Sequence, residues 1–170
     1  ENARFRQEYL IDLHSFGADA YGESEARKHG LDYIKLDGTI GCLTNGAGLT
    51  MATLDCIEDC GGHPANFMDL GAGVTVDSVI SALNILIKDP QVKVILVNLF
   101  GGMTRCDEIA GALRQGIEKY EPDIPIVLYM NGTHADIGYQ MLQDLEIVIA
   151  PSMLEGVKKA IALAATGVRL

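Results

Sequence analysis

From Leu31 onward, short apolar runs alternate with longer stretches in which apolar residues recur every three or four positions. The runs are rich in Val, Ile and Leu and predict strands. They span residues 40–44, 65–70, 92–99, 125–130 and 147–150. The helical spacing that follows each run covers residues 49–60, 76–87, 107–120, 135–142 and 153–165. The run at 92–99 is almost continuously apolar, which is typical of a strand buried on both faces.

This alternation predicts an α/β fold in which a sheet of about five parallel strands carries helices on both faces. Right-handed crossovers place every strand-to-helix turn at one edge of the sheet, where ligands bind in such folds. Four of the five turns are rich in glycine, at residues 45–48, 71–75, 101–104 and 131–133. Glycine lets another group approach the backbone closely, and free N–H groups at a helix start favour an anion.

Three of the turns also carry a helix-capping pattern, in which a hydroxyl residue is followed three positions later by an acid. The pairs are Thr104 with Asp107, Thr133 with Asp136, and Ser152 with Glu155. Such pairs chiefly stabilise helix starts, so we expect a structural role for them.

Residues 1–30 differ from the rest of the chain because they are polar, mixed in charge and carry isolated aromatic residues. We expect this stretch to be a linker or arm, with a short helix at 24–29. Residues 31–170 then form the folded domain.

The composition of the chain excludes several classes of function. The chain has 170 residues, 48% of them hydrophobic, which is enough for one domain with a sizeable core. Its 13 basic and 23 acidic residues give a formal net charge of −10, which disfavours general nucleic-acid binding. No window approaches the roughly 18 consecutive apolar residues of a membrane span. The 4 Cys residues lack metal-ligand spacing, so we expect free thiols in a reducing compartment and no metal site.

The candidate chemistry is that of an anion binder. The chain contains no P-loop and no G-x-G-x-x-G motif, and neither a Ser–His–Asp set nor an acid–base carboxylate pair can be identified. Asn45 ends a strand just before a glycine turn, where its amide could donate to a carboxylate or serve only as a turn residue. Arg105 could pair with an acidic ligand or partner, or be an ordinary surface arginine. His63 is expected at the opposite edge of the sheet.

Several long strings resemble one known family. The stretches at 36–49, 61–73 and 97–107 are similar to the C-terminal ligase domain of succinyl-CoA synthetase β subunits, and residues 2–7 resemble the exit from the nucleotide-grasp domain of that subunit. The resemblance covers essentially the whole chain. It implies a flavodoxin-like, doubly wound domain that forms the C-terminal part of a longer β subunit.

The resemblance also implies an activity. The family forms succinyl-CoA from succinate, CoA and ATP or GTP in the tricarboxylic acid cycle, releasing the nucleoside diphosphate and phosphate. It implies an αβ heterodimer, possibly α2β2, in which a phosphohistidine of the α subunit carries phosphate between two sites. CoA belongs to the α subunit, whereas Mg²⁺ and the nucleotide belong to the N-terminal domain of β. This chain is therefore expected to be inactive alone and to hold no cofactor, in the mitochondrial matrix or the cytoplasm.

The resemblance carries over to particular residues. It implies a substrate contact at Asn45 and a shared site for succinate, succinyl phosphate and phosphate at Gly102, Met103 and Thr104. Gly101 and Arg105 are possible additional contacts, and no catalytic residue is expected in this chain. The implied role is electrostatic, because backbone N–H groups would stabilise the phosphoryl group while the α subunit supplies the nucleophile.

Departures from the family pattern leave alternatives open. The arginine usual after the fourth strand is missing from residues 128–133, and Met103-Thr104 replaces a common Ile-Val. A malate- or other acyl-CoA ligase shares much of the pattern. A non-enzymatic flavodoxin-like module that binds an anion, and a purely structural dimerisation domain, are the remaining alternatives. ATP against GTP specificity stays open.

Overall fold

A computed structural model describes residues 21–71 and 73–167. Six strands and six helices follow one another along this part of the chain. In order, they are α1 (Tyr21–Lys28), β1 (Asp32–Lys35), β2 (Ile40–Thr44), α2 (Ala47–Asp59), β3 (Asn66–Asp69), α3 (Val76–Lys88), β4 (Val94–Gly101), α4 (Cys106–Tyr120), β5 (Ile126–Gly132), α5 (Ala135–Leu142), β6 (Val148–Ile149) and α6 (Met153–Thr166).

The strands form one sheet in the order β1-β3-β2-β4-β5-β6. All neighbours are parallel except β1, which runs antiparallel to β3. The five parallel strands therefore follow the flavodoxin-like order, in which the first strand lies between the second and the third. This confirms the predicted α/β fold and its five strand–helix units.

The antiparallel strand β1 was not predicted. Its four residues alternate between exposed and half-buried, so no apolar run marks it in the sequence. It pairs with β3 from Asp32 opposite Asp69 to Lys35 opposite Asn66. The helix expected at 24–29 is α1, and its Ala26 is buried in the core. Residues 1–20 of the predicted arm lie outside the described residues, and the boundary at residue 30 stays a prediction.

The core has two layers, one on each face of the sheet. Residues of α1, α3, α4 and α5 pack on one face, and residues of α2 and α6 pack on the other. In β4, Ile95 and Val97 belong to the first layer, whereas Val94 and Leu96 belong to the second. Both faces of this strand are thus covered, which explains its uninterrupted apolar sequence. No helix of the described ranges is long and apolar enough to span a membrane.

One of the expected helix caps is present. The Ser152 hydroxyl accepts a hydrogen bond from the Glu155 backbone N–H at 3.2 Å at the start of α6. A complete capping box that the sequence analysis missed begins α3. There the Thr75 hydroxyl accepts from Ser78 N–H at 3.1 Å, and the Thr75 N–H donates to Ser78 Oγ at 2.9 Å.

The other two expected caps are wrong. Helix α4 begins after Arg105 and α5 after His134, and neither of these residues makes a side-chain capping bond. The physical reason is a hydrogen bond between the turn after β4 and the turn after β5. In it, the backbone N–H of Cys106 donates to the Thr133 carbonyl at 3.0 Å. This contact sets the start of α4 one residue beyond the position that a Thr104 cap requires.

All four thiols are free, as expected. Cys42 and Cys106 are buried, whereas Cys56 and Cys60 at the end of α2 are only half-buried. Burial raises the pKa of the Cys42 thiol to about 12, so this residue behaves as a small apolar side chain of the core.

The contact between the turns after β4 and β5 requires a glycine at position 132, and this requirement can be tested. This residue has φ of 97°, and an added Cβ would lie 2.2 Å from the Gly101 carbonyl oxygen. We expect Gly132→Ala to lower the free energy of unfolding by more than about 2 kcal/mol, through backbone strain and this clash. Urea denaturation measures the change.

Gly111→Ala is the matched control, because Gly111 lies inside α4 and an added Cβ would meet only the flexible end of Met141, at 3.2 Å. We expect it to be neutral or to raise the free energy of unfolding by up to about 1 kcal/mol. Equal effects of the two substitutions would contradict the packing described for Gly132.

Candidate functional site

The carboxyl ends of β2, β3 and β4 open onto a cleft of about 350 Å³. It lies between β2 and β4, where the strand order reverses and where open α/β sheets bind ligands. Its lining consists of Asn45, Gly46, Asp69, Gly71, Phe100, Gly102, Met103 and Thr104. The structure therefore brings four of the six predicted site residues, Asn45 and 102–104, onto one surface.

Asn45 joins the ends of the two central strands. Its Nδ2 donates to the Phe100 carbonyl and its Oδ1 accepts from the Phe100 N–H, both at 2.9 Å. These bonds continue the β2–β4 ladder one step beyond its last pair, Thr44 opposite Asn98. One amide hydrogen and one oxygen lone pair of Asn45 stay available to the cleft. Its contact with substrate stays a prediction.

Asp69 holds the neighbouring pair of turns, and the sequence analysis missed it. Its Oδ1 accepts from the Gly46 N–H at 2.5 Å and from the Gly71 N–H at 2.8 Å. Only 7% of the residue is exposed. Gly46 and Gly71 have φ of 103° and 71°, a region that glycine adopts without strain. The available signal was an acid that ends an apolar strand directly before a glycine turn.

The loop after β4 presents its middle residues to solvent. Met103 is 93% exposed, and an added Cβ at Gly102 would meet no atom within 4 Å. Gly101 differs from them, because its carbonyl accepts from the Thr133 N–H at 2.9 Å and an added Cβ would lie 2.7 Å from the Thr133 backbone. Gly101 is thus a packing residue beside the cleft.

Arg105 is paired within this chain. Its Nε and Nη2 donate to the two carboxylate oxygens of Asp107 at 3.0 and 2.5 Å, and His134 Nδ1 lies 3.3 Å from Asp107 Oδ2. The Arg105 guanidinium and, to a smaller extent, His134 hold the pKa of Asp107 down at about 2. An acidic ligand would therefore have to compete with Asp107 for Arg105, and the predicted pairing of Arg105 with such a ligand stays a prediction.

Two helices begin beside the cleft, and their first turns differ in charge. Helix α2 starts after Gly46 with no side-chain cap and no acid in its first turn. Helix α4 carries Asp107 and Glu108 in its first turn. Because a helix N-terminus attracts negative charge, the acids of α4 fill that role at their own helix, whereas the first turn of α2 carries no acid and Asp69 of β3 accepts the N–H of Gly46 just before it. In the described ranges, no group of three or more His, Cys, Asp or Glu is arranged to hold a metal ion.

Comparison with known proteins identifies the family of the chain. A sequence model of CoA-ligases matches residues 43–165, which include the described lining of the cleft, the end of β2 and all of the four strands that follow it. The chain belongs to the CoA-ligase family. Over 164 residues the CoA-ligase domain is 44% identical to the β subunit of an ADP-forming succinate–CoA ligase from Chloroflexus aurantiacus. Over 166 residues it is 46% identical to the corresponding subunit from Burkholderia cenocepacia.

These relatives are longer than the chain. Each alignment covers 96% of this chain but 43% of the relative, so the CoA-ligase domain spans less than half the length of the β subunits it matches.

Solved structures share the fold at low sequence identity. ATP citrate lyase from Methanothrix soehngenii, in complex with citrate and coenzyme A, matches with a TM-score of 0.72 and 18% identity, over 86% of this chain and 43% of that one. An acetyl-coenzyme A synthetase of Ca. Korarchaeum cryptofilum, in complex with phosphate and ADP, gives 0.64 and 16%, over 89% and 38% of the two chains. At such identities these likenesses establish the α/β fold of the CoA-ligase domain and nothing further.

The Arg105–Asp107 pair predicts an acid titration. The pKa of Asp107 is about 2 in the folded chain against its ordinary value of 3.8. The stability that the ionised carboxylate contributes is therefore complete above about pH 4 and is lost as the pH falls toward 2. We expect a midpoint near 2 for the Asp107 carboxyl carbon in an NMR titration.

Arg105→Gln should move that midpoint upward toward 3.8, because it removes the largest stabilising contact of the carboxylate. Arg114→Gln is the control, since Arg114 pairs with Asp144 and Glu118 instead. A midpoint near 3.8 in the unaltered chain would show that the pairing does not persist in solution.

Proposed function

We propose that this domain supplies the β-subunit side of the acyl/phosphate site of a succinate–CoA ligase. The reaction is succinate + CoA + nucleoside triphosphate = succinyl-CoA + nucleoside diphosphate + phosphate. The observation that carries the proposal is the cleft at the reversal of strand order, since Asn45 and the 102–104 loop both line it. The identity with β subunits of succinate–CoA ligases over 96% of the chain supports the same conclusion.

The proposed role of the chain is to bind and orient. Glycine turns around the cleft leave room for a tetrahedral anion against the backbone, and the open start of α2 favours negative charge there. Asn45 is proposed to contact the dicarboxylate through its remaining amide hydrogen. The phosphoryl group would be carried by a histidine of an α subunit, which also holds CoA.

The described lining of this cleft does not fit magnesium. Asp69 is the only carboxylate among the described lining residues, and its Oδ1 already accepts two backbone hydrogen bonds. Mg²⁺ prefers several oxygen ligands in octahedral geometry, which this lining does not provide. The proposal therefore assigns Mg²⁺ and ATP or GTP to a nucleotide-grasp domain of the same subunit, outside this chain.

Exposed apolar side chains at the rim of the cleft are an argument for a partner subunit that docks there. Met103 and Phe100 are 93% and 55% exposed, and Met51 and Leu154 add exposed apolar side chains at the same edge of the sheet. Apolar surface around a binding site indicates a docking surface. An αβ heterodimer, alone or paired as α2β2, would cover it. The free thiols are compatible with either the mitochondrial matrix or the cytoplasm.

A related acyl-CoA ligase is the second candidate. The observation in its favour is Met103, which lines the cleft and departs from the isoleucine of the family pattern described in the sequence analysis. Backbone contacts to phosphate would survive that change, whereas the side chain next to the acyl group differs. Replacing succinyl-CoA by malyl-CoA in the assay below distinguishes the two acids.

Histidine phosphorylation tests the reaction. We expect the chain, mixed with a family α subunit, succinyl-CoA and labelled phosphate, to produce acid-labile label on an α-subunit histidine. Gly102→Leu should slow labelling about 100-fold, because its side chain would occupy the cleft while open space around Gly102 lets the chain fold.

Ala162→Leu, which adds a similar side chain to an exposed position of α6 far from the cleft, should label at the original rate. Complex formation without label would reduce the role of the domain to docking. The absence of both the complex and the label would favour a non-enzymatic anion-binding module.

Docking is tested separately. Met103→Glu should weaken binding of the α subunit at least tenfold, because a buried unpaired carboxylate at the interface is costly. Ile34→Glu introduces the same charge at a 55% exposed apolar residue on the outer edge strand β1, and should leave the dissociation constant unchanged. Calorimetric titration of the two variants measures the difference. Equal weakening by both would indicate a general effect of charge.

A further inference from the structure

Among the described residues, Asp69 is the only charged side chain that lines the cleft. It ends β3, and the ladder pairs it with Thr44, the last residue of β2. Its Oδ1 receives the N–H groups of Gly46 and Gly71, at 2.5 and 2.8 Å, and so ties the turn after β2 to the turn after β3. With the Asn45–Phe100 bonds, the ends of three strands are joined by two side chains.

The turn that Asp69 holds leads directly into α2. Gly46 is the residue before this helix, and its φ of 103° directs the chain from the strand into the helix. The carboxylate fixes the N–H of Gly46, so the position of the first turn of α2 depends on it. Thr50 of α2 also holds this turn, because its hydroxyl donates to the Gly46 carbonyl at 3.0 Å, but among the described side chains only Asp69 accepts the Gly46 N–H.

We propose that Asp69 is a positioning residue for the acyl/phosphate site, an inference that rests on the function proposed above. Its carboxylate holds the turns at Gly46 and Gly71 so that the start of α2 faces the anion. The role is that of a hydrogen-bond acceptor, and the negative charge itself is unfavourable beside an anion. The two backbone N–H groups on Oδ1 offset that charge and make the arrangement tolerable.

This role separates two substitutions. Asp69→Asn keeps a carbonyl oxygen that can accept the same two bonds and removes the charge. Asp69→Ala removes the acceptor and leaves both turns free to move. For a positioning residue we expect Asp69→Ala to slow labelling of the α-subunit histidine about 100-fold, and Asp69→Asn to slow it less than about tenfold. Affinity for the α subunit should change less than twofold in both.

A second measurement does not depend on activity. Inorganic phosphate is titrated into the full 170-residue chain while backbone amides are followed by NMR. We expect phosphate to shift the amides of residues 46–48 in the unaltered chain and in Asp69→Asn, but not in Asp69→Ala. A thermal melt of each variant shows that it remains folded at the temperature of the titration.

The outcomes are distinct. Equal labelling and equal phosphate shifts in Asp69→Ala and the unaltered chain would overturn the inference. So would an Asp69→Asn variant as impaired as Asp69→Ala, because the carboxylate would then act through its charge or proton. Phosphate shifts that follow the expected order without any labelling would support Asp69 and overturn the proposed reaction. Absence of both shifts and label in the unaltered chain would overturn both.

Discussion

The pairing of β2 with β4 is the constraint on which the rest of the structure depends. Five consecutive residue pairs, from Ile40 opposite Val94 to Thr44 opposite Asn98, join the two strands at the centre of the sheet. The chain forms β3 between them, so β3 must lie on the outer side of β2. The connections after β2 and β4 therefore lead to opposite faces, and a cleft opens between their starts. Position and ligand access of the site follow from this one ladder.

The ladder ends where the cleft begins, and side chains replace it there. Backbone groups beyond the last pair have no partner in the ladder, and two side chains supply one. Asn45 provides both a donor and an acceptor to Phe100, and Asp69 accepts from Gly46 and Gly71. All four bonds are made within the chain itself. They fix the turns in place, which is the condition under which fixed dipoles stabilise charge most effectively.

Much of this arrangement can be predicted from the sequence. A strand that is buried on both faces consists of an uninterrupted run of mostly apolar residues, such as 94–99. Once parallel strands are recognised, topology alone brings Asn45 and Gly102 to one edge. The edge strand β1 shows no such pattern, since only one face of it is covered and two of its four residues, Asp32 and Lys35, are charged. The task of Asp69 depends on turn geometry that no residue spacing encodes.

Local charge decides how an acidic chain can hold an anion. At physiological ionic strength, charges beyond about 8 Å are largely screened, so the net charge of −10 matters less than the groups around the cleft. Asp107 is neutralised by Arg105, and Asp69 is offset by backbone N–H groups. The start of α2 then contributes a partial positive charge with no opposing acid in its first turn. For the anion site proposed above, this balance means binding through dipoles rather than through a full cation. Such binding would suit the proposed transfer of a phosphoryl group to a partner subunit, because a salt bridge to a free arginine would retain it.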